Sequence, residues 1–365
     1  MKTIIHKQPF LNLLQLATKF NSNKLNSLSS LQGILIEGKK EEMSFYSTNL
    51  NLFFSGSISS QTSEPFKILI EPKKIMEFLT LLKEEQIEVE IKETAITLKQ
   101  KNAKGNFPLL KLTDFPLPPT IKESEQKISN ELFLKNLPYV LFTAAKEETR
   151  PVLSGINFLV VDNNICLVAT DGFRLSLIKS KKEGDFPNVL IPASFLEEVY
   201  RQARDEKDIF FSYSKEEKVV MFRIKNNRFY SRLIEGEFPP YEKVIPVDKK
   251  TTIILDKEEF LRNIKIISVF SKEASNIVVC EFIKGRLLMR PKVDGGGENS
   301  VEQDTEQEGE DQKIAFNHRF IIDFLNNINT EKIVVEILRS DAPAVFKVEK
   351  NNDFLHIIMP VRLQE

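Results

Sequence analysis

The sequence predicts an α+β protein of three similar domains in tandem, each with two helices packed on one face of antiparallel sheets. One observation behind this is an order of amphipathic helices and alternating strands that recurs three times along the 365 residues. Another is the spacing, because the helix-opening residues Phe10, Phe133 and Phe260 follow one another after 123 and 127 residues. A third is composition, since 41% hydrophobic residues suffice for a core in each domain.

The first helix of each domain follows a short apolar strand, and its apolar residues recur with a helical period. The strand residue and the first helical Phe are five positions apart in the pairs Ile5/Phe10, Ile128/Phe133 and Leu255/Phe260. Asp256, three residues before Glu259, predicts a capping box at the third start. Pro138 lies inside the second of these helices, where we expect it to kink the helix or delay its start.

A second amphipathic helix appears in each domain, and each one leads into an alternating strand. The apolar stripes cover residues 75–82, 195–203 and 320–328, and the clearest strand is 333–337. Polar linkers at about residues 118–126 and 246–250 then divide the chain into domains 1–122, 123–248 and 249–365.

The first two domains also agree in detail. Leu31-Gln32-Gly33-Ile34 parallels Leu153-Ser154-Gly155-Ile156, and Thr48-Asn49 and Thr170-Asp171 each begin seventeen residues after the respective Leu. These matches predict the same turn in both domains. Three such units in line leave an edge strand at each end of the chain, and pairing with a second copy would close a ring.

Charge is distributed unevenly along the chain. The formal net charge is −1, but residues 292–312 hold one lysine against eight acids, a balance of −7 that leaves +6 elsewhere. With its run of three glycines, this stretch predicts a solvated flexible loop.

Several classes of function are disfavoured. Two cysteines in apolar runs exclude a disulfide framework and fit a reducing, cytoplasmic setting, and three scattered histidines disfavour a metal site. Asp171 and Asp162 could be read as paired carboxylates, yet no nucleophile, phosphate-binding loop or dinucleotide-binding pattern accompanies them. We therefore expect a protein without membrane spans, metals, cofactors or catalytic residues.

Three segments carry a family resemblance that covers the whole chain. They are Ala169-Thr170-Asp171-Gly172-Phe173-Arg174-Leu175, then residues 231–241, then Met359-Pro360-Val361-Arg362-Leu363. In this combination the chain resembles the bacterial DNA polymerase III beta subunit, the sliding clamp. The resemblance implies a non-catalytic processivity factor of DNA replication, a head-to-tail homodimeric ring of six similar domains around duplex DNA.

The resemblance also implies partners for such a ring. They are DNA bound without sequence preference, the replicative polymerase alpha subunit, the clamp-loader subunit and other proteins that carry a clamp-binding peptide. The alternative is a clamp-like scaffold that binds partner peptides without encircling DNA. Weakly basic helices and the acidic residues 300–311, which replace an edge strand at the dimer interface of relatives, favour this alternative.

Two sets of site residues follow from the resemblance, residue by residue. Partner peptides would bind at Val152, Leu153, Thr170, Gly172, Phe173, Arg174, Leu175, Pro239, Lys243, Val244, Ile357, Met359, Pro360, Val361 and Arg362. The residues that would contact the DNA phosphates are Lys24, Lys146, Arg150, Arg201 and Arg204. Phe173 replaces a smaller or polar residue of many relatives, and for Leu153, Leu175, Val244 or Ile357 taken singly a plain core role stays open.

Overall fold

The computed structural model describes residues 1–22, 28–112, 114–147, 149–182, 184–271, 276–292 and 299–363. The chain divides into two compact units. The first unit holds residues 1–128 and 198–233, and the second holds residues 129–197 and 234–365.

Helices occupy a minority of the chain, and most begin where a local signal favours them. They are α1 (Lys7–Ala17), α2 (Ser29–Gln32), α3 (Pro72–Leu81), α4 (Pro138–Leu141), α5 (Ala193–Ala203), α6 (Lys257–Ser271) and α7 (His318–Asn327). Pro72 opens α3, where its missing N–H costs nothing. The Asn317 side chain accepts the Arg319 N–H to cap α7, and Asp256 accepts the Glu259 N–H at 2.7 Å before α6.

Strands make up most of the regular secondary structure, and some, such as β1 and β23, alternate between buried and more exposed residues while others, such as β11, are buried on both faces. The strands of the first third are β1 (Lys2–His6), β2 (Ile34–Gly38), β3 (Glu42–Thr48), β4 (Leu52–Ser59), β5 (Phe66–Ile70), β6 (Gln86–Ile91), β7 (Ala95–Gln100) and β8 (Ala103–Leu110). Those of the second third are β9 (Gln126–Ile128), β10 (Gly155–Val161), β11 (Asn164–Thr170), β12 (Arg174–Lys181), β13 (Val189–Pro192), β14 (Ile209–Ser214), β15 (Val219–Ile224) and β16 (Asn227–Arg232). Those of the last third are β17 (Thr251–Asp256), β18 (Ile277–Ile283), β19 (Arg286–Pro291), β20 (Val301–Asp304), β21 (Glu306–Gly309), β22 (Gln312–Asn317), β23 (Lys332–Ile337), β24 (Ala344–Val348) and β25 (Phe354–Ile358).

The first unit contains one antiparallel sheet of twelve strands in the order β1-β6-β7-β8-β5-β2-β3-β4-β16-β15-β14-β9. Helix α1 packs on it through Phe10, whose ring lies 5.4 Å from that of Phe45 on β3. Phe20, Phe54 and Phe229 form a second group of rings in this core, with centroids 5.5 to 5.7 Å apart.

The second unit contains two antiparallel sheets, of nine strands (β13-β10-β11-β12-β25-β24-β23-β17-β21) and of four strands (β20-β19-β18-β22). Helices α6 and α7 pack against each other and against these sheets. Phe324 of α7 contacts Phe346 and Phe354 on the nine-stranded sheet, so one helix face closes the core.

The six helices predicted from apolar stripes are confirmed, including the effect of Pro138. Residues Glu131–Asn136 form a π-helical turn in which the Leu137 N–H donates to the Leu132 carbonyl, and α4 starts only at Pro138. Proline cannot donate the next helical hydrogen bond, so the helix restarts there.

The prediction of a flexible loop over residues 292–312 was wrong where that stretch is described. Residues 301–304 and 306–309 are strands β20 and β21, while residues 293–298 lie outside the described residues. In β20 the alternation exposes Glu302 and Asp304 and buries Gln303, whose amide donates to the Asp256 carbonyl at 3.2 Å. Burial of one neutral residue and solvation of the acids outweigh their low strand propensity.

In the part of the chain that the structure describes, the helices are all too short or too polar to cross a membrane.

Candidate functional site

A tight turn between β11 and β12 forms the centre of the site. The Thr170 hydroxyl donates to the Arg174 carbonyl at 2.7 Å and accepts the Gly172 N–H at 3.0 Å. Asp171 Oδ1 accepts the N–H groups of Phe173 and Arg174 at 2.9 and 3.0 Å. Gly172 adopts φ +91°, a conformation that glycine takes without strain. Asp171 and Thr170 are therefore turn residues, which agrees with the structural role predicted for them.

Arg174 lies under this turn, and its side chain makes hydrogen bonds and ion pairs with other residues of the chain. Its side chain is only 7% exposed, and Nε and Nη1 donate to Asp171 Oδ2 at 3.0 Å and to Asp323 Oδ2 of α7 at 2.7 Å. Nη2 donates to the Phe142 carbonyl at 3.1 Å, and the guanidinium lies 4.7 Å from the Phe320 ring centroid. Arg174 thus positions the turn, α7 and the chain after α4, rather than offering a free charge to a ligand.

The end of β25 reaches the same turn. Leu175 pairs with Ile357, and beyond the strand the Met359 N–H donates to the Phe173 carbonyl at 2.9 Å. Both backbone groups of Phe173 are therefore held, while its side chain is 65% exposed with its ring 6.4 Å from that of Phe320. Met359 is partly buried beside it. An aromatic ring and a thioether on a fixed backbone suit an apolar side chain of a ligand.

The segment 238–245 covers part of this sheet. Tyr241 packs into a buried cluster with Leu175, Ile357 and Val345, and Phe238 and Ile245 pack against it. Burial raises the pKa of Tyr241 to about 12, so the phenol stays neutral. Tyr241 thus anchors the segment on the sheet. Pro239 and Lys243 are exposed on its outer surface, and Val244 is 40% exposed.

On the other side of the turn, Leu153 lies in a short helical turn at Pro151–Ser154. The Ala145 N–H donates to the Leu153 carbonyl at 2.9 Å, and the Leu153 N–H donates to the Arg150 carbonyl at 2.9 Å. Val152 lies against Gly236, where a Cβ would come within 2.8 Å of its Cγ1. The second unit thus joins residues 150–153 to the segment that carries Pro239.

The predicted peptide-binding residues differ in what they offer. Leu153, Leu175 and Ile357 are buried, so they support the surface from below, as the core alternative held. Phe173, Pro239, Val244 and Met359 present apolar surface. Lys243 and Arg362 are exposed, and among the described residues their side chains make no ion pair or hydrogen bond.

A buried polar chain lies beneath the turn. The Thr143 and Ser176 hydroxyls are 2.7 Å apart, and Ser176 Oγ is 2.7 Å from Nδ1 of His356 on β25. The imidazole stacks on Phe324 at 5.0 Å. Burial, reinforced by the Arg174 charge, holds the pKa of His356 well below its ordinary value of 6.5, so the ring is neutral.

This histidine makes stability depend on pH. The unfolded chain takes up a proton at His356 below about pH 6.5 and the folded chain does not, so the free energy of unfolding falls as pH drops. We expect a loss of up to about 1.4 kcal/mol per pH unit from pH 6.5 down to the depressed pKa. Urea unfolding of wild type and of His356→Phe between pH 5 and 8 checks this, with the exposed His6→Gln as control. Parallel profiles for wild type and His356→Phe would contradict it.

The predicted DNA-binding residues are placed less uniformly. Lys146 and Arg150 are exposed on the segment that precedes Leu153. Arg201 is ion-paired to Glu198 at 2.7 Å, and the Arg204 guanidinium lies 5.2 Å from the Tyr200 ring centroid. Lys24 lies outside the described residues. The contact of these residues with DNA stays a prediction.

Sequence reasoning missed Asp323, Phe320, Phe142 and His356. Asp323 is 149 residues from Arg174, and no local pattern links the two. The sequence therefore carries no signal that would have paired them.

Comparison with known proteins gives one consistent result. Family models of the DNA polymerase III beta subunit match in chain order: the N-terminal domain over residues 1–119, the central domain over 127–240 and the C-terminal domain over 242–362. The beta sliding clamp of Bacillus subtilis is 26% identical over 382 residues and covers 99% of this chain and 100% of that protein. The beta sliding clamp of Halalkalibacterium halodurans is also 26% identical, covering 91% of this chain and 89% of that protein.

Solved structures agree over the full length. The DNA polymerase III beta subunit of Thermotoga maritima superposes with a TM-score of 0.91 at 25% identity, with 100% of both chains covered. A sliding clamp from Bartonella birtlesii, solved bound to griselimycin, gives a TM-score of 0.92 at 23% identity and the same coverage, which shows the shared fold.

Proposed function

The chain belongs to the DNA polymerase III beta subunit family, the bacterial beta sliding clamps, and from this premise we infer that it acts as a DNA sliding clamp. The observation that carries this is the match of three successive family domains together with a fold shared over the whole chain. Sliding clamps are non-catalytic processivity factors of a DNA polymerase. DNA and the polymerase are accordingly its partners.

The physical basis of a clamp is enclosure rather than base readout. A protein that slides needs a weak, sequence-independent attraction to phosphates, with contacts that are easily exchanged. The exposed cations Lys146 and Arg150 suit such contacts, whereas Arg201 already shares its charge with Glu198. Retention then depends on the DNA having no free end.

Retention on DNA tests this function. Protein placed on nicked circular DNA by its loader should stay bound through gel filtration, and cutting the circle once should release it. A scaffold that binds partners without encircling DNA would give equal retention on both forms, and that result would contradict the proposal.

We propose that two copies close the ring head to tail, and a free strand edge in each unit supports this. In the second unit β20 pairs with β19 on one side and with no described strand on the other. In the first unit residues 103–108 of β8 pair with β7, while β5 takes only residues 109–110. Such edges readily pair with another chain.

Helices beside the two edges supply apolar surface. Against β20 lies α6, on which Val269 is 64% and Phe270 is 44% exposed. Against β8 lies α3, whose Phe78 ring is 5.6 Å from that of Phe107. Apolar side chains on both sides can be buried together when one copy's β20 pairs with the other copy's β8.

Charge also matches across the proposed contact. Among the described residues, Asp304 and Glu308 near β20 make no ion pair, and neither do Lys73, Lys74 and Lys104 near β8. Opposite charges on the two edges favour a head-to-tail contact over a like-with-like contact. The acidic stretch, which the sequence alone marked as unfavourable for ring closure, thus becomes a complementary surface.

We further propose that the surface around Phe173, Val244 and Met359 binds short partner peptides of the polymerase and the loader. Replacing Met359 by Gln keeps the length of the side chain but not its apolar contact. We expect the substitution to weaken the binding of a fluorescent hexapeptide that contains adjacent Leu and Phe residues by about 10-fold.

Fluorescence anisotropy measures this binding, and sedimentation of the same samples reports dimerisation. The exposed Val247→Gln is a matched control that should change neither property. If Met359→Gln lost dimerisation to the same degree as peptide binding, Met359 would be a structural residue and the assignment would be wrong.

A further inference from the structure

The first unit contains a copy of the turn on which the candidate site is built. The Thr48 hydroxyl donates to the Leu52 carbonyl at 2.8 Å and accepts the Leu50 N–H at 2.8 Å. Asn49 Oδ1 accepts the N–H groups of Asn51 and Leu52 at 3.1 and 2.8 Å. Each of these bonds has its counterpart in the turn at residues 170–174, which lie 122 positions later.

The strand that meets this turn is repeated as well. The Arg232 N–H donates to the Asn51 carbonyl at 2.8 Å, as the Met359 N–H does to the Phe173 carbonyl at 2.9 Å. Ser231 pairs with Leu52 in the sheet, so Arg232 follows the end of the pairing as Met359 does.

The surroundings of the two turns also correspond. A Cβ on Gly33 would lie 2.9 Å from Leu110 Cδ1, and one on Gly155 would lie 2.8 Å from Ile234 Cδ1. A buried cluster of Phe53, Val219, Met221 and Tyr230, with Ile121 packed against it, takes the place of the cluster around Leu175 and Tyr241. Backbone, glycine contacts and apolar floor are thus equivalent in the two places.

One difference between the turns is the residue that replaces Gly172. Leu50 has φ +75°, a region that disfavours branched side chains, and its side chain is 47% exposed. A strained, half-exposed leucine contributes little to folding, which makes contact with a ligand a reason for its presence.

Asn49, Asn51 and Leu52 also replace Asp171, Phe173 and Arg174, and a further difference is a charge. Arg232 stands where the candidate site has Met359, and its Nε donates to the Leu50 carbonyl at 3.1 Å. Among the described residues its guanidinium makes no ion pair. Its two outer nitrogens are therefore available to a carboxylate beside the Leu50 side chain.

We propose that the surface formed by Leu50, Asn51 and Arg232 is a second peptide-docking groove, which binds a linear segment with an apolar side chain next to a carboxylate. The apolar side chain contacts Leu50 and the carboxylate pairs with Arg232. The inference rests on the proposed function only in taking the Phe173 surface as a peptide-binding surface.

The acid requirement separates the two grooves. At the position that meets the turn, the first groove has the neutral Met359, whereas the second has Arg232, which can pair with a carboxylate directly beside Leu50. The cations of the first groove, Lys243 and Arg362, lie outside its turn. A clamp with both grooves would hold two different peptide classes at once, which lets partners of different chemistry share one ring.

Photo-cross-linking with mass spectrometry tests the proposal on the full chain. The probes are two hexapeptides with benzoylphenylalanine followed by either Asp or Asn. We expect both probes to label residues near Phe173, and the Asp probe to label residues near Leu50 about 2- to 5-fold more than the Asn probe does.

Variants show whether this labelling is specific. Arg232→Gln should remove the preference for Asp near Leu50 and leave labelling near Phe173 unchanged. Leu50→Gly removes the side chain that contacts the peptide, so it should lower labelling near this turn. Because glycine also relieves the backbone strain, the melting temperature should not fall. Lys39→Gln, which removes an exposed cation elsewhere in the same unit, should behave as wild type.

Three results would overturn the inference. Labelling near Phe173 alone would reject the second groove and keep the first. Labelling near Leu50 that is indifferent to Arg232→Gln would mean a non-specific apolar contact. Absence of labelling at both places would reject peptide docking at the first surface and, with it, the second.

Discussion

Replacing Phe270 by Asp should convert the dimer to a monomer and abolish retention on circular DNA. Phe270 and Val269 are exposed apolar residues on α6 beside the free edge of β20. A carboxylate there would be buried against the apolar surface near Phe107 of the other copy. A loss of about 2 to 4 kcal/mol at each of the ring's two contacts adds up to about 4 to 8 kcal/mol, which corresponds to a dimer weaker by roughly 10³- to 10⁶-fold.

Sedimentation velocity over a dilution series measures the change, and the DNA retention assay reports its consequence. Val161→Asp, which places the same charge at an apolar residue of the second unit with similar exposure (45% against 44% for Phe270), is the matched control. Unchanged dimerisation of Phe270→Asp would show that α6 is not in the interface. A restored dimer from Asp304→Lys combined with Lys104→Glu, each weaker alone, would support the proposed charge match.

Replacing Arg174 by Met should be the most destabilising single change at the candidate site. The substitution keeps apolar bulk but leaves the carboxylates of Asp171 and Asp323 without their shared cation. Asp171 is 17% and Asp323 46% exposed, so water can rehydrate these carboxylates in part, and we expect a cost of about 1 to 3 kcal/mol. Peptide binding should be lost with it, since the turn that holds Phe173 is no longer fixed.

Chemical unfolding and peptide anisotropy together test this expectation. Arg174→Lys keeps the charge without the planar fork and should lie between wild type and Arg174→Met. Arg319→Met, an exposed cation on the same helix α7, is the control and should change neither quantity. Peptide binding lost at unchanged stability would instead mean that Arg174 contacts the peptide directly.

Periodicity made most of the fold predictable. Helix α7 buries Ile321, Phe324 and Leu325, the stripe that its sequence shows, and α6 likewise begins after the predicted Asp256 cap. Local patterns succeed here because helices such as α1, α6 and α7 bury one face against a sheet of their own unit. The three-domain fold is confirmed, whereas the domain boundaries at residues 122 and 248 stay a prediction.

The acidic strands were not predictable in the same way. Glu302 and Glu306 are tolerated in strands because Arg286 on the neighbouring β19 pairs with Glu302 at 3.1 Å, and Lys332 on β23, two strands away in the sheet, pairs with Glu306 at 2.7 Å. Those partners are distant in sequence, so local propensity alone indicated a loop.

The candidate site was predicted as a set of positions, but its internal arrangement was not. The turn residues Thr170 and Asp171 could be recognised because Thr48 and Asn49 repeat them. The burial of Arg174 could not, because it depends on an acid of α7 that only the tertiary fold brings within 2.7 Å.

The solution mass of the protein, measured by light scattering together with its small-angle X-ray profile, tests the central claim most directly. Two copies of the 42.0 kDa chain closed into a ring should give a mass of about 84 kDa and a distance distribution with the dip of a hollow particle. A 42.0 kDa particle at micromolar concentration, or a dimer whose profile shows no central hole, would contradict it.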